Sequence, residues 1–61
     1  MSELAKERIN FIETLHEVFL MRKGFGALAF VSITDIVRLF DEYKKSNEPT
    51  DSFIQRYVNS F

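Results

Sequence analysis

His16 is the single histidine of the chain, and it stands three residues after Glu13. A Glu-x-x-His step places a carboxylate and an imidazole one turn apart on a helix, the spacing found in carboxylate-bridged dimetal bundles. Such a centre needs two copies of the step and further inward-pointing glutamates. Here there is one copy, with Glu13 on the polar side of its helical pattern. No metal is therefore expected, and His16 reads as a boundary residue packing its ring on the core. Cysteine is absent, which removes thiolate ligands and disulfides together.

The remaining acids stand beside bases at the spacing of ordinary surface pairs, Asp35 with Arg38 and Asp41 with Lys44 and Lys45. Hydrolytic or acid–base work requires a nucleophile, a base and an orienting group gathered in a pocket, and a helical chain this short has little room for one. The "GFG" at Gly24 to Gly26 lacks both the G-x-G-x-x-G pattern and a G-K-[ST] ending. The neighbouring Arg22 and Lys23 already suit the end of a helix, where the backbone dipole favours cations. A protein without catalysis, cofactor or small-molecule substrate is expected.

Nucleic acid is a more serious candidate ligand. Ser52, Gln55, Arg56 and Asn59 share one face of the last helical segment, and such side chains read base edges and phosphates well. A small helix-turn-helix-like DNA-binding regulator using residues 51–61 is accordingly the alternative reading. Against it, the connecting "SNEPT" and the preceding helix are both longer than that motif uses, and the net charge of −1 gives no attracting field. The combination "ERINFIETLHEVF…KGF…ITDIV" faintly resembles the N-terminal DNA-binding module of tetracycline-repressor-type regulators over roughly residues 7 to 37. The interval from Gly24 to Ile36 is too long for that pattern, and no family is assigned on it. A ribbon-helix-helix arrangement would need polar groups on one face of residues 27–33, where both alternating faces are apolar.

The elements that position these residues follow from periodicity. Leu4, Ile9, Phe11, Ile12, Leu15, Val18 and Phe19 fill a broad apolar face of a helix from Ser2 to about Lys23, with Ser2 as N-cap and Gly24 as left-handed stop. So broad a face implies two neighbours, or one neighbour and a second subunit. A second helix begins near Ser32, where "SITD" offers a capping box with Asp35. It carries the stripe Ile33, Ile36, Val37, Phe40 and Tyr43 and ends around Ser46. Thr50 or Asp51 is expected to cap a third helix with the stripe Phe53, Ile54, Tyr57, Val58 and Phe61. Between the first two helices, Gly24 to Ile33 carries no charge. It reads as a buried connector, helical or coil in preference to a strand, because a lone strand would need a partner from a second subunit.

The fold class expected is thus all-α: a single three-helix domain over residues 1–61, with a long first helix, an apolar connector and two shorter helices. A chain of 61 residues buries only about 60% of its unfolded surface, so self-association is the obvious source of further stability. Seven phenylalanines and two tyrosines exceed what three short helices readily hide. Leu20, Met21 and Leu39 fall outside the best stripes. With Phe25, Leu28 and Phe30 of the connector they form the expected interface. The function expected is that of a small regulatory or adaptor protein, homodimeric or bound to another protein through a hydrophobic helical surface. No stretch approaches the ~20 apolar residues of a membrane span, so a soluble, cytoplasmic protein is expected.

Overall fold

Alternation of apolar and charged residues at helical spacing produces three helices, and a computed structural model describes them over residues 3–61. Helix α1 runs Glu3–Lys23, α2 Ile33–Ser46 and α3 Thr50–Asn59, with a single 3-10 turn at Ala27–Ala29. No strand occurs among the described residues. The proposed cap at Ser2 lies outside them.

Each helix end has a local cause. Gly24 adopts φ +84°, and its amide donates to the Leu20 carbonyl at 3.0 Å, closing α1. Asn47, at φ 60°, ends α2 in the same left-handed way, leaving three residues to turn the chain before α3. The start of α2 is the capping box expected: Asp35 N donates to Ser32 Oγ at 3.1 Å, while Ser32 N donates to the Asp35 carboxylate at 3.2 Å. The third start departs from expectation. Thr50 and Asp51 both lie inside α3, Pro49 holds the cap position, and no side chain caps it. Pro has no backbone N–H to satisfy and presets φ, which makes it tolerable there. Thr50 Oγ1 is instead 2.6 Å from the Tyr43 hydroxyl, a hydrogen bond that fastens the turn to α2.

Helix α1 packs chiefly against α3, next against the 3-10 turn, and least against α2. Phe11 lies beside Phe53, Phe19 beside Tyr57 and Phe61, and Arg22 beside Asn59, so α1 and α3 run parallel. Lys44 of α2 pairs with Glu7 near the start of α1, so α2 runs antiparallel to both. The expected Asp41 pairing is thus replaced by one that joins two helices. Hydrogen bonding to the Glu7 carboxylate raises the Lys44 pKa above its ordinary value.

The core is layered. Phe11, Phe40, Tyr43 and Phe53 form one aromatic cluster, with the Phe11 and Phe40 rings edge to face at 5.4 Å. Phe19, Phe30, Tyr57 and Phe61 form a second, with Phe19 and Phe30 stacked at 5.0 Å. Leu15, Ile54 and Val58, all fully buried, belong to the same continuous core. Every aromatic residue has a ring neighbour except Phe25.

Two expectations about burial fail. Leu39, placed on the candidate interface, is only 5% exposed. The buried stripe of α2 is Ile36, Leu39 and Phe40, rotated so that Ile33 and Val37 turn outward instead. The uncharged connector is also not buried: only Ala27 and Val31 turn in, while Phe25, Leu28, Phe30 and Ile33 are exposed. Its 3-10 geometry satisfies its own amides, Phe30 N and Val31 N both donating to the Ala27 carbonyl, so neither a sheet partner nor full burial is required.

Ser32→Ala should destabilise the fold by about 1 kcal/mol through the lost cap. The backbone amide and hydroxyl of Ser32 hold the Asp35 carboxyl below its ordinary pKa of 3.8. A group with a depressed folded pKa contributes stability above its unfolded value and loses it as pH falls through the folded one. Thermal melts of the native chain and of Asp35→Asn should therefore differ at neutral pH and converge below pH 3.8. A constant difference down to strongly acid pH would show that the box contributes nothing through ionisation.

Candidate protein-interaction surface

Apart from Leu4 and Phe61, the large apolar side chains left exposed once the core is closed group in two places. On α1, Leu20 and Met21 lie at the surface, Met21 being 85% exposed. The connector adds Phe25 at 65% and Leu28 at 63%. These four fall within nine consecutive positions around the end of α1, where Gly24 turns the chain back. Phe30, the fifth exposed member of the expected interface, is more than half covered and anchored by its stack on Phe19. Leu39 is not part of this surface.

A second exposed apolar region was not anticipated from the sequence. Ile9, Ile12 and His16 follow one another on α1 at i, i+3 and i+7, a stripe beside the buried one. Ile33 and Val37 turn outward on α2, and α1 touches α2 least of all its neighbours. The result is an open groove of about 280 Å³ whose apolar lining is Ile12, Ala27, Leu28, Ile33 and Ile36. Glu13, His16 and Glu17 complete its lining from α1. The breadth of the apolar face of α1 was the available signal. The outward rotation of α2 that opens the groove carried none, because Ile33, Ile36, Val37 and Phe40 satisfy helical spacing whichever of them face inward.

His16 packs on the connector rather than deep in the core. Its imidazole fills the space that a β-carbon on Gly26 would need, with Cε1 and Nδ1 both overlapping that position. Gly26 itself has ordinary extended backbone, φ −68° and ψ 170°, so glycine is required there for closeness and not for conformation. Glu13 and His16 are both exposed, and no group of three histidine, aspartate or glutamate side chains converges among the described residues.

The residues of the alternative DNA-reading face are largely occupied by their own chain. Arg56 pairs with Glu48 and lies over the Phe53 ring, its guanidinium carbon 5.4 Å from the centroid. Asn59 Oδ1 accepts a hydrogen bond from Arg22 at 3.0 Å. Gln55, expected on a shared face with Ser52, Arg56 and Asn59, is partly buried, and its side-chain oxygen has no hydrogen-bond partner. Ser52 alone is exposed and uncommitted among the described contacts. The turn between α2 and α3 is nevertheless only three residues, shorter than the sequence suggested. Burial, joined by the charges of Asp35 and Glu42, raises the Tyr57 pKa above its ordinary value.

No helix among the described residues is long and apolar enough to cross a membrane. No protein-family model, curated protein or solved structure matches this chain. Its surface chemistry therefore carries the functional reading.

The contact between His16 and Gly26 gives a double-mutant test. In the native background Gly26→Ala must displace the imidazole and should destabilise the fold. In a His16→Ala background the same change should stabilise it by about 0.4–1 kcal/mol, because the unfolded chain loses freedom while the native backbone is undisturbed. Denaturant melts of the four proteins supply the cycle, and a Gly26→Ala effect of the same sign in both backgrounds would disprove the packing.

Proposed function

We propose that the protein is a small non-enzymatic regulatory or adaptor module that acts by protein–protein interaction through a hydrophobic helical surface, and that it associates with a second copy through the end of α1 and the connector. The observation that carries this reading is Phe25: in a chain whose every other aromatic ring finds a partner, it stands in solvent, with Met21 and Leu28 exposed nearby in the chain. Isolated apolar side chains at a surface need no explanation. A group of four around one turn, on a domain with a thin core margin, marks an interaction site.

Association would bury these side chains without rearranging the core, since none of them supports it. Aromatic and methionine side chains are enriched at interface centres because they bring large apolar area with few polar atoms to desolvate. The DNA alternative draws support from the short α2–α3 turn, yet its readers would have to leave Glu48, Phe53 and Arg22 before reaching a duplex.

Sedimentation of the chain should give a mass above the monomer at micromolar concentration, and its melting temperature should rise with concentration, as linkage requires. Phe25→Asp should retain the helical circular dichroism signal, because that ring is 65% exposed and pairs with no other aromatic, while returning the mass to that of a monomer. A monomeric mass and a concentration-independent melt would end the self-association reading. Binding to random duplex DNA that falls steeply with salt would put the alternative in its place.

A further inference from the structure

The groove between α1 and α2 differs in character from the patch around Phe25, and we infer that it receives an amphipathic helix carrying basic side chains, supplied by another protein. This inference rests on the proposed function, that the chain is a docking module, and names a partner class for a second surface of it.

Three observations lead to it. The first is shape: an open concavity of about 280 Å³, with Ile12, Leu28, Ile33 and Ile36 along it, has room for a few apolar side chains. Its walls are α1, the 3-10 turn and α2, and an amphipathic segment presents apolar residues at i, i+3, i+4 and i+7 to such a groove. The second is charge: the lining contains the carboxylates of Glu13 and Glu17 and no lysine or arginine. Two cations of the same helices are held elsewhere, Arg8 over the Phe40 ring and Lys44 on Glu7. A helix with lysine or arginine flanking its apolar stripe would meet opposite charge along α1.

The third bears on a second copy seated groove against groove. A two-fold interface sets the same patch against itself. Two concave grooves facing one another would leave a void, and the glutamates of each copy would be brought toward those of the other, an unfavourable juxtaposition of like charges. Leu28 lines the groove and also belongs to the patch around Phe25, so the two surfaces adjoin at the connector, while Ile12 and Ile33 belong to the groove alone.

The test uses the full chain with two synthetic helical peptides of about 14 residues, sharing leucines at i, i+3, i+4 and i+7 but bearing lysines or glutamates elsewhere. Fluorescence anisotropy should show saturable binding of the leucine–lysine peptide and at least about tenfold weaker binding of the leucine–glutamate one. The bound lysine peptide should shift the methyl resonances of Ile12 and Ile33. Glu13→Gln with Glu17→Gln should bring the two affinities within about threefold of each other. Ile33→Lys, at an exposed position that leaves the fold intact, should abolish the binding. Equal binding of both peptides overturns the basic partner while leaving the docking module standing. Resonance shifts scattered over all the acidic helix faces, or no binding at all, overturn the groove as a docking site. A dimer that Ile33→Lys dissociates but Phe25→Asp does not would make a second copy the occupant, and would likewise overturn the inference.

Discussion

The seam between α1 and α3 is the contact on which the rest of the molecule depends. Phe11, Leu15 and Phe19 from the first helix meet Phe53, Ile54 and Val58 from the third, and most of these side chains are completely removed from solvent. A core of this size supplies no more than about 3–5 kcal/mol in net stability, while truncating a single buried Leu or Phe costs about 2–5 kcal/mol. The two aromatic clusters lie along this seam. Once it forms, Tyr43 and Phe40 have a ring to pack on at one end, and Phe30 and Phe61 have one at the other. Arg22 donating to Asn59, and Lys23 to the Phe61 carbonyl at 2.8 Å, then pin the ends of the two helices together.

With α1 and α3 committed to each other, α2 occupies what is left. It packs Ile36, Leu39 and Phe40 inward, is capped by Ser32 and Asp35, and is tied to α1 by Lys44 and Glu7. Its remaining apolar residues are not also buried, because α1 packs chiefly against α3 and the 3-10 turn. The groove is thus the geometric remainder of a three-helix arrangement in which one helix has a broader apolar face than its neighbours can cover. The same competition leaves Phe25 and Leu28 outside: the connector spends its two inward positions on Ala27 and Val31 and closes its backbone hydrogen bonds within itself.

Helix limits were legible because they are local. Gly24, Ser32 with Asp35, and the Asn–Glu–Pro turn each act on their own backbone, and the structure places α1, α2 and α3 within a residue or so of where those signals put them. Facing was less legible. Leu39 and Val37 are equally apolar and two positions apart, and only the location of α3 decides which is covered. The third helix start was misread for a related reason: Thr50 is a good cap in isolation, but here its hydroxyl is held by Tyr43, seven residues away. Of the candidate surface, Met21 and Phe25 could be found from composition and spacing, since no stripe included them. The groove could not, because it belongs to no single element.

The partnership of α1 with α3, and not with its sequence neighbour, also shapes how the chain reaches this state. The hydrogen bonds that join the two helix ends span 37 and 38 residues. Local helical contacts, the kind that make small bundles fold fastest, are therefore available early but bury little. The stabilising seam forms only after a loop of that length closes, an entropic cost that precedes its reward. Neither α1 with the connector nor α2 with α3 contains the full set Phe11, Leu15, Phe19, Ile54 and Val58, so no half of the molecule has a core of its own. Equilibrium unfolding of so small a domain is consequently expected to be one cooperative transition, since no subset of its helices holds the buried set.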